Sequence, residues 1–299
     1  MTSNQTDNFL HHPTPAIGLW RITDWKYSVE EQVRWTEQVL DLGARVFDLA
    51  DIYGNYEAER CFGLALKASP VLRKRFFLIT KCGLKLASDK FPQHRVKHYD
   101  TSKQHIIASA EQSLKYLHTD HIDLLLIHRP DPLMDADEVV EAFTQLKQSG
   151  KVLNFGVSNF TPLQFELLES RLPFPLMTNQ VEFSVLHTQS LSDGTFDQCQ
   201  RLNISPMAWS PLGGGRLFNS QEEQPVRVRA ALQTIGTELG LTIDQVAMAW
   251  IATHPARVVP ITGSGKIENI RLALEASKVK LSRQQWFAIL AASQGHEVP

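Results

Sequence analysis

Cysteine, excess charge and long apolar segments are all scarce in this chain of 299 residues. Its three cysteines, Cys61, Cys82 and Cys199, lie far apart and form no CxxC pair. This odd, scattered set argues against a disulfide framework or a zinc site. We therefore expect reduced thiols and no bound metal.

The charge balance and the hydropathy pattern narrow the functional classes further. The net charge is −2 and no basic block stands out, so nucleic-acid binding is not expected. No run of about 18 apolar residues is present, so no membrane span is expected. The N-terminal segment MTSNQTDNFLHHPTP lacks a basic start and an apolar core, so we expect no signal peptide and a cytoplasmic protein.

Strand-like runs alternate with amphipathic helical patterns almost throughout, which is typical of parallel α/β folds. With AIGLW as the first run we count eight, all short and rich in β-branched residues or leucine, as strands buried on both faces should be. Helix starts are marked by a capping box from Ser28 to Glu31 and by Thr161 before Pro162. No GxGxxG follows an early strand, which disfavours a doubly wound sheet.

These patterns predict one α/β domain over residues 1–299, a (β/α)₈ TIM barrel with an extra C-terminal helix that begins at Ser282. Two long segments, 83–100 and 211–225, interrupt the alternation of strands and helices. Long loops on the C-terminal face of a barrel usually act as lids or pocket walls.

Polar side chains stand at the ends of successive strand-like runs, where a barrel places its active site. Asp48 closes RVFDLA, Lys81 closes FFLITK and His128 closes HIDLLLIH, while Tyr53 follows Asp48 by five residues. A lysine ammonium beside a phenol favours the phenolate, and a neutral histidine can donate a hydrogen bond to a substrate oxygen. Taken singly, each residue also has an ordinary structural interpretation. These are a cap for Asp48, a loop aromatic for Tyr53, an exposed strand-end lysine for Lys81 and a turn residue for His128. Together they suit proton delivery to a carbonyl group.

At these positions the chain resembles the aldo-keto reductase family. The run from Asp48 to Gly54 (DLADIYG) resembles the family signature D-x-A-x-x-Y-G. Further matches in order and spacing are Lys81 in ITK, His128 in LLLIH, GVSNF ending at Phe160, Asn179-Gln180 and Ser210-Pro211-Leu212. The resemblance spans about residues 15 to 290. Within the family, the chain resembles in particular a bacterial subgroup of oxidoreductases of the YdhF type.

The resemblance implies an NADPH-dependent reductase of a small-molecule carbonyl substrate, acting as a monomer. In this interpretation Tyr53 is the proton donor, and Lys81, held by Asp48, lowers its pKa. His128 orients the carbonyl group. Asp51, three residues after Asp48, is interpreted as a loop or helix-start residue without a catalytic role.

The same resemblance implies a set of cofactor-binding residues and NADP(H) in preference to NAD(H). Ser158, Asn159 and Gln180 are expected to bind the carboxamide, and Trp209 to stack on the nicotinamide ring. The remaining candidates follow the last two strands: Ser210, Leu212, Gly263, Ser264 and Lys266. Asn269 stands where the family commonly has an arginine, and Arg271 is a candidate to compensate. Trp20 and Trp25 are candidate walls of the substrate pocket.

Two other functions remain open at the level of the sequence. Lys81 at a strand end suits a Schiff-base enzyme on the same barrel. A third interpretation is an NADP(H)-binding regulatory or redox-sensing protein with little turnover, as some family relatives are.

Overall fold

The computed structural model describes residues 14–299, so the expectation about a signal peptide falls largely on residues outside that range. In the described part, eight parallel strands form a closed barrel. They are β1 (Ala16–Gly18), β2 (Val46–Asp48), β3 (Phe77–Cys82), β4 (Ile122–Ile127), β5 (Val152–Ser158), β6 (Asn179–Glu182), β7 (Met207–Trp209) and β8 (Val259–Thr262). Their spatial order around the barrel is β1-β8-β7-β6-β5-β4-β3-β2. The predicted (β/α)₈ barrel is confirmed.

The helices of seven or more residues in the described range are α1 (Val29–Asp41), α2 (Ala58–Ala68), α3 (Lys103–Tyr116), α4 (Ala136–Gln148), α5 (Pro162–Glu169), α6 (Thr195–Arg201), α7 (Glu223–Leu239), α8 (Ile243–Thr253), α9 (Ile267–Ala276) and α10 (Arg283–Gln294). The predicted capping boxes of α1 and α10 are both formed, at Ser28 with Glu31 and at Ser282 with Gln285. The extra C-terminal helix is therefore present. Within residues 14–299 no helix combines the length and apolar character that a membrane crossing requires.

The chain divides into two compact units. One, here called the N-terminal unit, comprises Ile17–Asn179 and Gly263–Ile267. The other, the C-terminal unit, contains Gln180–Thr262 and Glu268–Pro299. The single domain expected from the sequence stays a prediction.

In the N-terminal unit, parallel pairing places the ends of neighbouring strands at known positions. Asp48 of β2 pairs with Ile79 of β3, and Lys81 of β3 pairs with Leu126 of β4. Phe47 of β2 packs on Phe62 of α2 with ring centroids 5.6 Å apart. Because these rings are buried, their apolar area contributes about 2 to 3 kcal/mol each to folding, and they hold α2 against the strand that carries Asp48.

Stacked aromatic rings also form the core of the C-terminal unit. Trp250 is fully buried, and its ring stacks on Trp286 at 4.9 Å and on Phe183 at 5.2 Å. Trp250 Nε1 donates to the Trp286 carbonyl at 3.0 Å, and Trp286 Nε1 donates to the Trp250 carbonyl at 3.1 Å. Both buried indole N–H groups are thus satisfied, and α8 and α10 are joined.

Three local features differ from the sequence-based expectation. The 83–100 loop contains a short antiparallel hairpin, Leu84–Lys85 with His98–Tyr99, and the 211–225 loop contains a helical turn, Arg216–Asn219. The run LMTNQ predicts that Gln180 closes its strand, but Gln180 is the second residue of β6. The strand continues beyond Gln180 because Val181 and Glu182 pair with Ala208 and Trp209 of β7.

Candidate active site

Three neighbouring strands and one tight turn bring the four predicted catalytic residues together. Asp48 ends β2, Lys81 is the penultimate residue of β3, and His128 follows β4 directly. Tyr53 begins a short turn in which Gly54, Asn55 and Tyr56 have φ values of 57°, 52° and 68°. Left-handed backbone at three successive residues is uncommon, and it reverses the chain just after the phenol.

The ammonium of Lys81 is at the centre of this group. Lys81 Nζ donates to Asp48 Oδ2 at 2.7 Å, to the Leu49 carbonyl oxygen at 2.7 Å and to the Tyr53 hydroxyl oxygen at 3.2 Å. Lys81 is fully buried, and an ammonium has three N–H donors. All three are therefore used, and the Tyr53 oxygen accepts from Lys81 while its own hydrogen stays available to donate elsewhere.

The protonation states differ in part from the expectation. Burial raises the pKa of Tyr53, and the opposing charge of Lys81 does not reverse this direction. For Lys81 itself, burial pushes the pKa down, but the Asp48 carboxylate and Tyr53 raise it overall. Lys81 therefore acts on the pKa of Tyr53 in the expected direction, but burial outweighs it and the pKa is raised overall. The sequence does not reveal how deeply the phenol is buried. The site holds a neutral phenol beside a charged amine.

His128 lies across the ring of Tyr53, edge to face, with centroids 5.6 Å apart. Burial and the positive charges of Lys81, Arg129 and Lys97 lower its pKa well below the usual value. The imidazole is therefore neutral at physiological pH, and a neutral imidazole keeps one N–H that can donate to a carbonyl oxygen.

A cavity of about 860 Å³ opens over Tyr53 and His128. Trp20, 57% exposed, lines it as predicted. Charged side chains that also line it are Arg21, Asp24, Lys97 and Arg129. Arg129 was not assigned a site role from the sequence; the signal for it is its place directly after the strand-end histidine.

Trp25, the second predicted wall residue, is not among the described residues that line this cavity. Its ring packs against Trp35 at a centroid distance of 4.9 Å and lies over Gly265. The prediction placed Trp25 in the pocket because it follows β1, but the turn of the chain at Ile22–Asp24 directs it elsewhere.

Two of the predicted cofactor residues lie in the N-terminal unit at the end of β5. Ser158 is buried, and Asn159 adopts φ 62°. Asn159 Nδ2 donates to Ser158 Oγ at 2.8 Å and to the His128 carbonyl oxygen at 3.3 Å. Non-glycine residues with left-handed backbone are often found at functional sites. The conformation of Asn159 and its contact with the backbone of His128 therefore support a functional role for the end of β5.

The next predicted cofactor residues lie in the C-terminal unit. Gln180 Nε2 contacts Met207 Sδ at 3.6 Å, and Trp209 ends β7 half-buried. Ser210 follows with φ 51°, and its carbonyl accepts from the Gly213 N–H at 2.8 Å. Leu212 lies within this turn and packs on the core of its own unit.

The remaining candidates form the loop from Gly263 to Lys266, here called the β8–α9 loop. The Lys266 N–H donates to Ser264 Oγ at 3.1 Å, and the Lys266 side chain is exposed. Arg271, the candidate to compensate for Asn269, forms ion pairs with Glu268 and Glu275, both at 2.5 Å. Its guanidinium is thus already neutralised by two carboxylates.

Sequence reasoning missed two acids near Lys81, the half-buried Asp51 and the buried Glu59. Asp51 accepts from Ser109 Oγ at 2.8 Å, and its other oxygen is buried without a hydrogen-bond partner in the structure. Glu59 accepts from Thr80 Oγ1 at 2.5 Å and is 3% exposed. Burial, chiefly, raises the pKa of Asp51 to about 8 and that of Glu59 to about 7.

The raised pKa values of Asp51 and Glu59 predict that the protein loses stability as the pH rises. Both acids bind protons more tightly in the folded state than in the unfolded state. The free energy of unfolding therefore falls as the pH rises from about 4, the pKa in the unfolded chain, to about 7 and 8, the pKa values of Glu59 and Asp51 in the folded chain. Asp51→Asn removes one of the two titrating groups. Between pH 5 and pH 8 we expect its free energy of unfolding to fall by about 1 to 3 kcal/mol less than that of the parent. Urea unfolding at both pH values measures this.

Asp41→Asn, at a carboxylate 71% exposed, is the matched control and should lose as much stability as the parent. Equal pH dependence in the Asp51 variant and the parent would show that Asp51 is ionised throughout this range.

Comparisons with known proteins show which family the chain belongs to. The profile of the Aldo/keto reductase family matches residues 16–294. Oxidoreductase YdhF of Escherichia coli (strain K12) is 54% identical over 95% of this chain and 94% of that protein. The 6-dehydroglucose reductase of Agrobacterium fabrum is 46% identical over 95% of each.

Among solved structures, an aldo/keto reductase from Klebsiella pneumoniae in complex with NADP and acetate has a TM-score of 0.76 and 24% identity, with 96% of this chain and 92% of that chain covered. This likeness concerns the fold. Every candidate site residue described above lies within the span matched by the family profile.

Proposed function

We propose that this chain, an NAD(P)H-dependent oxidoreductase that belongs to the aldo/keto reductase family, reduces an aldehyde or ketone to an alcohol with Tyr53 as the proton donor. The observation that carries the proposal is the 3.2 Å hydrogen bond from Lys81 Nζ to the Tyr53 oxygen. It leaves the phenol hydrogen free for a substrate, and it places a positive charge where the phenolate would form.

Each residue then has a defined part in the reaction. When bound, the reduced nicotinamide supplies a hydride to the carbonyl carbon. Tyr53 gives its proton to the oxygen as negative charge develops there. Neutral His128 donates a hydrogen bond to the same oxygen and orients it. Lys81, kept charged by Asp48 at 2.7 Å, stabilises the phenolate until solvent returns the proton.

The side chains available for the cofactor suit a nicotinamide dinucleotide. Ser158, Asn159 and Gln180 supply a hydroxyl and two amides, which can both donate to and accept from a carboxamide. Trp209 offers a flat apolar surface for the ring. We assign Ser210 and Leu212 to the adjoining part of the cofactor site.

We propose NADP(H) rather than NAD(H) as the preferred cofactor, with Ser264 and Lys266 of the β8–α9 loop as ligands of the 2′-phosphate. The loop leads into the N-terminus of α9, and helix N-termini favour anions. Because Arg271 is paired with Glu268 and Glu275, we give it no part in this preference. A solved fold relative, the Klebsiella pneumoniae protein, is in complex with NADP.

A sugar-derived aldehyde is the first substrate class to test. The Agrobacterium fabrum relative, 46% identical, is a 6-dehydroglucose reductase. The cavity over Tyr53 is lined by Arg21, Asp24 and Lys97, which can hydrogen-bond hydroxyl groups.

The Schiff-base alternative requires Lys81 as a neutral amine. Its three hydrogen bonds and raised pKa oppose that state. Borohydride in the presence of substrate is therefore expected to leave Lys81 unmodified.

A carbonyl panel with NADPH labelled with deuterium at the transferable position of C4 tests the proposal. The panel contains sugar-derived, aromatic and short aliphatic aldehydes, and the readout is the fall in NADPH absorbance. We expect one deuterium on the new carbinol carbon, which demonstrates direct hydride transfer. Tight NADPH binding without oxidation across the panel would instead favour the regulatory role.

A further inference from the structure

A single backbone oxygen of the β8–α9 loop receives two hydrogen bonds from side chains far away in the sequence. Trp35 Nε1 donates to the Gly265 carbonyl oxygen at 2.7 Å, and Tyr27 OH donates to the same oxygen at 3.1 Å. Both donors belong to the N-terminal unit, as does the loop. One carbonyl oxygen has two lone pairs, so its accepting capacity is full.

Packing limits the loop at the same residue. Trp25 stands 4.9 Å from Trp35 and 5.9 Å from Tyr27, measured between ring centroids. A Cβ added to Gly265 would lie 2.9 Å from Cδ2 of Trp25. Trp25 has little room to move away, because it packs against Trp35, which is 4% exposed and packs edge-on against the core residue Phe47. Only glycine fits beneath these rings.

The two hydrogen bonds set the direction of the next amide group. In a trans peptide the carbonyl and the following N–H point in opposite directions. With the Gly265 carbonyl held toward Trp35 and Tyr27, the Lys266 N–H points away from the aromatic residues. There it donates to Ser264 Oγ at 3.1 Å. The loop thus presents the Lys266 N–H and the Ser264 hydroxyl on the side opposite the rings, just before α9 begins at Ile267.

We infer that Trp35 and Tyr27 are positioning residues for the adenosine 2′-phosphate of the cofactor: they hold the Gly265 carbonyl and thereby orient Ser264 and Lys266. The inference rests on the proposed function, since it takes the β8–α9 loop as the phosphate site. It assigns the NADP(H) preference to a preformed loop conformation, because a loop that is ordered before binding loses less entropy when the phosphate arrives.

A purely structural role makes a different prediction. A buried indole N–H needs an acceptor wherever it lies, and losing that bond would then lower stability without favouring one cofactor. The ratio of the dissociation constants for NADPH and NADH separates the two roles, because the cofactors differ by the 2′-phosphate alone.

The experiment measures both dissociation constants by isothermal titration calorimetry for the parent, Tyr27→Phe, Trp35→Phe and the double variant. Tyr27→Phe removes one hydroxyl from a half-buried ring and should fold normally. We expect the dissociation constant for NADPH to rise about threefold in each single variant and about tenfold in the double variant. The constant for NADH should change by less than about twofold.

Trp286→Phe is the matched control, because it removes another indole bond to a backbone carbonyl, at 3.1 Å, in the C-terminal unit. Its NADPH affinity should equal that of the parent. Unchanged NADPH affinity in the double variant, or equal weakening of NADPH and NADH, would overturn the inference. A parent that binds neither cofactor would instead overturn the proposed function, so the two failures are distinguishable.

Discussion

Tyr53→Phe is expected to lower kcat for aldehyde reduction by about 10² to 10⁴ fold while the dissociation constant for NADPH stays at the parent value. The phenol oxygen accepts from Lys81 Nζ at 3.2 Å, which leaves its hydrogen as the one available to the substrate oxygen. Phenylalanine keeps the ring that packs edge to face against His128 at 5.6 Å but has no proton to give.

Single-turnover kinetics with NADPH and a good aldehyde substrate would measure this loss on the chemical step. Tyr116→Phe, at a tyrosine on α3 whose ring contacts Arg60, is the control and should keep parental turnover. An unchanged kcat in the Tyr53 variant would show that another group delivers the proton.

Lys81→Met is expected to reduce both activity and stability. Asp48 is 2% exposed and loses the ammonium that lies 2.7 Å away. Removing the ammonium from a buried ion pair typically costs about 3 to 5 kcal/mol. Turnover should fall by at least about 10² fold, because the Tyr53 phenolate would form without a nearby positive charge.

The double variant Asp48→Asn with Lys81→Met separates the two effects. Urea unfolding should show that it recovers much of the lost stability, since the uncompensated charge is gone, whereas turnover should stay low. Arg73→Met provides the matched comparison: Arg73 and Asp123 form another buried ion pair at 2.7 Å, near the start of β4. Breaking that pair should lower stability and leave kcat unchanged, because the N-terminal ends of barrel strands serve stability. Parental turnover in the double variant would contradict the assigned role of Lys81.

Much of the fold followed from local pattern. Capping boxes at Ser28 and Ser282 mark real helix starts, and Asp48, Lys81 and His128 lie where parallel strands end. The end of β6 lies beyond Gln180, where the pattern predicted it, because strand limits depend on which backbone groups find a partner in the neighbouring strand. The 83–100 hairpin also depends on pairing between segments whose sequences carry no strong strand signal.

The long-range features could not be obtained from the pattern. Asp51 reads as an ordinary loop acid, yet burial near Glu59 raises its pKa to about 8. Trp25 reads as a pocket wall, yet it covers Gly265. Nothing near residue 265 in the sequence indicates that Trp35, 230 positions away, donates a hydrogen bond to the Gly265 carbonyl oxygen.

By itself the sequence determined the barrel, the identity of the four catalytic candidates and the edge on which they gather, because strand periodicity and parallel topology send all strand ends to one face. Only the tertiary structure decided their protonation and their partners. Burial raises the pKa of Tyr53, and Lys81 divides its three N–H groups among Asp48, Leu49 and Tyr53. Desolvation and hydrogen bonding depend on which distant segments pack together, and that is a property of the folded chain.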